Sequence, residues 1–179
     1  MGKKEIVLGV TGSIAIYKSL DLINLLKARG FNITVIMTEE AQELIRPLTF
    51  QTISGNQVYT DMFTLSKDFD LAHISLADKA DLILLCPATA NIIGKLANGI
   101  CDDLLTCTVV SSPAPVIICP AMNDKMYRNP AVQKNIATLK THGYKFVGPV
   151  KGKLACGRVG IGHLAPPEEI VQVIVHELK

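Results

Sequence analysis

The run Ile6-Val7-Leu8-Gly9-Val10 has no polar side chain, the pattern of a strand buried on both faces. The turn Thr11-Gly12-Ser13 follows, and then a 3.6-residue period predicts a helix from Ile14 to Ala28, with Ile16, Leu20, Ile23, Leu25 and Leu26 near one face and Arg29-Gly30 closing it. Asn32 to Met37 reads as a second strand, and Thr38-Glu39-Glu40 as a helix start with acids in its first turn. Asp81 to Cys86 is a further buried strand ending at Pro87, and Ala88 to Leu96 and a stretch from about Asp102 read as helices. Pro115 to Cys119 is a strand ended by Pro120. Pro130 to His142 is a helix with proline in its first turn and Gly143 past its end; Lys145 to Val147 is a short strand, and Glu168 to Leu178 a last helix.

Strands alternating with helices call for βαβ units and a mostly parallel sheet in one domain spanning 1–179. Ligands of such sheets bind beyond the carboxyl ends of the strands. The motifs at Gly12-Ser13, Pro87 and Pro120 all follow strand ends, so they should meet on one edge. Residues 148–166 depart from this rhythm. Gly148, Gly152, Gly157, Gly160 and Gly162 punctuate a polar stretch without helical or strand period, expected to be a mobile flap in preference to a passive linker.

Composition narrows the class further. Of 179 residues 49% are apolar, yet only 5% are aromatic and Trp is absent, so aliphatic side chains fill the core. A net charge of +2 is too small to point to nucleic acid or an acidic partner. The apolar runs are too short to span a membrane and no cleavage site follows the first, which predicts a cytosolic protein. Five cysteines without paired spacing predict thiols and no metal site, with Cys86, Cys101, Cys107 and Cys119 read as small core residues. Cys156 differs, because it sits in a glycine-rich loop beside Arg158, whose charge favours a thiolate.

Each chemical motif has an ordinary alternative. Gly9 to Ala15 joins strand to helix and suits a phosphate, with Ser13 adding a hydroxyl, or is a plain turn in which Ser13 caps the helix. Pro87-Ala88-Thr89-Ala90-Asn91 offers small residues beside which a flat ring can lie, with Thr89 and Asn91 as polar contacts. Asp102 and Asp103 follow an Asn-Gly turn and serve either a ligand or a helix start, Asp102 as cap and Asp103 in the first turn. His73 is by itself an ordinary histidine. Asn123, after Pro120-Ala121-Met122, is a turn residue or a carboxylate-binding amide.

Taken together and in this order, these motifs resemble the homo-oligomeric flavin-containing cysteine decarboxylases over essentially the whole chain from Gly9 onward. Within that family the similarity is to the branch acting on 4'-phosphopantothenoylcysteine. The resemblance implies a Rossmann-like/flavodoxin-like three-layer α/β sandwich that binds FMN. It implies that Gly12, Ser13, Ile14 and Thr38 hold the cofactor phosphate end, that Pro87, Ala88, Thr89 and Asn91 line its ring, and that Asp102 and Asp103 lie on the flavin side. His73 would be a base or orienting residue beside a flavin held mainly by a neighbouring subunit. Asn123 would bind the substrate carboxylate, with Met122, Ala155 and Arg158 as further substrate contacts, and Cys156 would be the acid carried in by the flap.

The implied reaction oxidises the cysteine side chain to a thioaldehyde, releases CO2 and reduces the enethiolate again, giving 4'-phosphopantetheine for coenzyme A. The presence of Cys156 favours this over relatives that stop at the enethiol. The family often carries Arg-Met after the last flap glycine, where this chain has His163-Leu164, leaving Lys151, Lys153 or Arg158 as phosphate contacts. Trimers or dodecamers built from trimers are implied, without nucleic acid or membrane as partner, and with a natural chain end after the last helix. Alternatives within reach of the same fold are a flavin prenyltransferase, which would not need Cys156, and a non-catalytic regulatory subunit.

Overall fold

The computed structural model describes residues 2–63, 71–153 and 157–179. Six strands form one parallel sheet: β1 (Glu5–Val10), β2 (Asn32–Met37), β3 (Val58–Tyr59), β4 (Leu82–Ala88), β5 (Val116–Pro120) and β6 (Lys145–Phe146). Their order is β3-β2-β1-β4-β5-β6, so the winding reverses between β1 and β4, the point where a doubly wound sheet opens a crevice. The expected three-layer α/β sandwich is what the chain forms.

Period-two alternation explains the layers. From β1, Ile6, Leu8 and Val10 join one apolar cluster while Val7 joins the other. The first cluster is closed by α1 (Lys18–Ala28), α3 (Pro47–Ser54) and α9 (Pro167–Glu177) through Leu22, Ile23, Leu26, Phe50, Ile170 and Ile174. The second is closed by α4 (Ala72–Lys79), α5 (Ala90–Ala97), α6 (Leu104–Ser111) and α8 (Pro130–Thr141) through Leu76, Ile92, Ile93, Leu105, Val109, Ile136 and Leu139. All residues of β4 are buried, as the unbroken apolar run requires.

Several boundaries differ from the sequence expectation. The first helix is split into a 3₁₀ turn, Ile14–Tyr17, capped by Ser13, and α1 proper. The strand expected to end at Pro87 continues through a cis Cys86–Pro87 bond to Ala88. Asp103, rather than Asp102, caps α6, because its carboxylate accepts from the Thr106 N–H at 2.7 Å and the Thr106 hydroxyl closes a capping box. Cys86 and Cys119 are buried as expected, but Cys101 is exposed and Cys107 only partly covered. Three short helices lie beyond those expected, α3, α4 and α7 (Asp124–Arg128), α2 being Glu39–Leu44.

Residues 148–166 hold the largest difference. Instead of lacking strands, the segment pairs β7 (Val150–Lys153) with β8 (Val159–His163) as an antiparallel hairpin, with Gly152 opposite Gly160. No helix of the described residues is long and apolar enough to cross a membrane.

Candidate active site

The carboxyl ends of β1, β4 and β5 are tied together by hydroxyl side chains. The Thr11 hydroxyl donates to the Pro87 carbonyl at 2.7 Å and accepts from the Thr89 N–H at 3.1 Å, so one buried side chain stitches the loop after β1 to the loop after β4. The Ser13 hydroxyl donates to the Ala121 carbonyl at 3.1 Å, which joins the β1 loop to the exit of β5. Below this edge the Ser19 hydroxyl donates to the Cys86 carbonyl at 2.8 Å. Cys119 lies beside Cys86 in the core, where burial and the neighbouring thiol push its pKa up, so it stays a protonated packing residue.

Above the edge lies a crevice of about 590 Å³. Its floor is the 12–18 turn with Thr89, Ala90, Ala121, Met122 and Asn123, and its roof is Lys153, Gly162, His163 and Leu164 of the hairpin. The roof is pinned by a backbone bond, the Met122 N–H donating to the Gly162 carbonyl at 3.0 Å. Gly162 permits this approach, since a Cβ there would stand 2.2 Å from the Met122 carbonyl oxygen, at a φ of +147° that side chains avoid. A second docking point is the Arg158 guanidinium, 3.6 Å from the Asp124 carboxylate.

Of the predicted residues, Gly12, Ser13, Ile14, Thr89, Met122 and Asn123 meet in this one crevice. Pro87 and Ala88 are buried in β4 directly beneath it. Asn91 is exposed on the first turn of α5 and lies outside the crevice wall. Asn123 caps α7, its side-chain oxygen accepting from the Lys125 N–H at 2.9 Å. Arg158 and Lys151 do not line the cavity, whereas Lys153 does. Ala155 and Cys156 lie outside the described residues, between the two strands of the hairpin.

Thr38 opens onto a smaller neighbouring cavity of about 180 Å³ with Asp102 and Asp103. Its hydroxyl is buried with no partner among the described residues. Gly12 approaches the same segment from the other side, where a Cβ would stand 2.5 Å from the Glu40 Cβ. An orphaned hydroxyl and a backbone with no room for a side chain can receive a phosphate oxygen. Asp102 and Asp103 both bind Lys95, at 2.8 and 2.9 Å. Burial pushes the Asp103 carboxyl upward, but the Thr106 N–H, the Lys95 ammonium and the Thr106 hydroxyl outweigh it and hold its pKa below the usual range.

His73 is in the first turn of α4, which runs back to the start of β4, so the carboxyl edge of the sheet is where it sits. It does not line this chain's crevice, and its Nδ1 is buried without a partner among the described residues. The sequence reading missed Tyr17, Lys18, Met126 and His163 as crevice walls. Lys18 has Asp21 three residues on, the spacing of an ordinary helix ion pair, and so gives no signal in the sequence.

A family model described as Flavoprotein matches residues 1–179. The chain belongs to the flavoprotein family. This flavoprotein is 50% identical over 173 residues to the coenzyme A biosynthesis bifunctional protein CoaBC of Bacillus subtilis (strain 168), covering 97% of the chain but 43% of that relative. It therefore spans under half the length of that protein. It is 45% identical over 177 residues to a probable phosphopantothenoylcysteine decarboxylase of Streptococcus mutans, covering 98% of this chain and 99% of that one. Among solved structures, the FMN-dependent cysteine decarboxylase SpaF superposes with a TM-score of 0.86 at 31% identity, covering 99% of this flavoprotein and 96% of SpaF. A PPC decarboxylase variant complexed with pantothenoylaminoethenethiol superposes with a TM-score of 0.86 at 27% identity, covering 97% of each chain.

Proposed function

We propose that this flavoprotein decarboxylates 4'-phosphopantothenoylcysteine to 4'-phosphopantetheine with FMN as cofactor, a step toward coenzyme A. The observation that carries the reading is the crevice at the β1/β4 switch point, where Asn123 and the hairpin that bears Cys156 face one another across a slot walled by Ile14, Ala90, Ala121 and Met122. The relatives named above support it. FMN fits the residues present: the buried, unpartnered Thr38 hydroxyl and the Gly12 backbone offer a phosphate cradle, and Ala90 and Ala121 leave room for a flat ring. The Ser13 hydroxyl already serves Ala121 and the 3₁₀ turn, so Ser13 contributes mainly by shaping the loop.

When bound, FMN supplies two-electron chemistry, taking a hydride equivalent from the cysteine side chain and giving it back at the end. The protein does the rest. Asn123 holds the carboxylate through its amide nitrogen and orients the bond to be broken. The thioaldehyde accepts the electron pair left behind by CO2, giving an enethiolate. Cys156 then delivers a proton as saturation is restored. The hairpin works as a flap over 148–166, closing on Met122 to exclude water.

We further infer a cytoplasmic enzyme assembled as a trimer, or a dodecamer of such trimers, in which His73 completes a neighbouring copy's site. Exposed apolar side chains close to His73 in sequence, Leu71 at 60% and Ile74 at 45%, support a covered face there. Mixing His73→Asn and Cys156→Ser subunits, neither of which should form 4'-phosphopantetheine alone, should restore its formation at about a quarter of sites if each site draws on two chains. No recovery after verified mixing refutes sharing.

The direct test is anaerobic incubation with 4'-phosphopantothenoylcysteine followed by mass spectrometry. Wild type should give 4'-phosphopantetheine and Cys156→Ser a product lighter by two hydrogen atoms. The saturated product from both removes Cys156 from the mechanism, and no CO2 from either removes the proposed function.

A further inference from the structure

The crevice holds a group of cations with no acid to match. The Lys18 Nζ lies 2.7 Å from His163 Nε2, joining the first residue of α1 to the last residue of β8. An ammonium has only donors, and an imidazole offers it at most a lone pair and no negative charge. Lys153, at the end of β7, lines the same cavity. The other polar side chains of the wall are Ser13, Tyr17, Thr89 and Asn123, all uncharged, and no Asp or Glu is among the described lining residues. Asp21 and Glu168 line a separate cleft on the far side of Lys18, and neither forms an ion pair with it among the described residues.

A lysine half-withdrawn from water against an imidazole, with no carboxylate beside it among the described residues, has an unmatched charge, and two lysines in one acid-free cavity select an anion. This locus is not the Thr38 cradle, since Thr38 opens onto a different cavity with Asp102 and Asp103. Nor is it Asn123, which sits on the β5 exit and is matched to a carboxylate. A substrate with a carboxylate at one end and a phosphate monoester at the other has one group for each.

Resting on the function proposed above, we propose that Lys18, His163 and Lys153 bind the terminal phosphate of the substrate and make the enzyme selective for the phosphorylated form. Lys18 belongs to the fixed core and the other two belong to the hairpin. Phosphate between them therefore ties the roof to the floor on the side opposite Asn123.

The test uses the FMN-loaded protein and two ligands that differ only in the phosphate, 4'-phosphopantetheine and pantetheine, titrated by calorimetry. Wild type should bind the phosphorylated ligand on the order of 10- to 100-fold more tightly, the range for charge-assisted hydrogen bonds. Lys18→Met should bring that ratio close to one, and His163→Asn should lower it independently, so a fault confined to one variant is exposed. Equal affinities in wild type, or an unchanged ratio in both variants, overturn the assignment while leaving decarboxylation intact. Binding of neither ligand by wild type overturns both. Visible absorbance settles the other source of a phosphate monoester: Lys18→Met should purify with its full complement of FMN, and loss of FMN would mean that Lys18 serves the cofactor's phosphate instead.

Discussion

Lys18 and Lys95 are the same residue in opposite circumstances. Lys95, in the last turn of α5, sits where a helix dipole welcomes a cation and holds Asp102 and Asp103 together. Burial lowers its pKa, but the two carboxylates outweigh that and raise it. Lys18 stands at the start of α1, where the dipole gives a cation nothing, and touches an imidazole on the crevice wall. The first charge is settled within the fold and the second is left for a ligand. A cation in a cavity is informative about function only after its acids have been counted.

The comparison breaks most sharply through the roof that carries His163. Gly162→Ala should drive the hairpin off Met122 and cost on the order of 100-fold in decarboxylation, the loss that goes with misplacing a site by an ångström. Thermal melting checks that the sheet itself survives, since the hairpin is outside it. Unchanged turnover would show that the roof is not docked in the working enzyme.

Next in size is Asp103→Ala, which removes the α6 cap and one partner of Lys95 and should cost about 1–2 kcal/mol in urea unfolding. The pH dependence has a definite sign. The folded-state pKa of Asp103 is lowered, so its contribution is full above the unfolded carboxylate value of about 4 and disappears as pH falls through the lower folded value. The variant should lose less stability than wild type between neutral and acid pH; an identical acid limb would deny Asp103 that part.

Lys95→Met should cost about 1 kcal/mol or less, because Asp102 is 56% exposed and water screens that pair. Lys18→Met should change unfolding free energy by no more than about 0.5 kcal/mol, having no carboxylate partner to lose. A larger penalty for Lys18 than for Lys95 would reverse the distinction between them.

The sequence showed the sheet plainly where its physics is simple. β1, β2, β4 and β5 are buried on both faces, so each appears as an apolar run, and the motifs at their ends could be placed on one edge. The short strand expected at Lys145 to Val147 is β6, whereas β3, with two residues, carries no pattern of its own. β7 and β8 hid for a different reason. Their glycines at 152, 160 and 162 are strand positions held against His163, Asp124 and Met122, so the residues that make the contact possible are poor strand formers. Lys18 and His163 stayed invisible as a pair because 145 positions separate them and only hairpin docking brings them together.

The hydrogen bond from the Met122 N–H to the Gly162 carbonyl has an evolutionary consequence. A contact made by two main chains passes unchanged through most substitutions on either side, provided one glycine is kept. The hairpin can therefore be exchanged as a cassette among proteins that share the β5 exit, bringing a new tip and a new charge at 163 while the floor keeps its geometry. Changes in which substrates are accepted can then accumulate in a short hairpin that is not a strand of the six-stranded sheet.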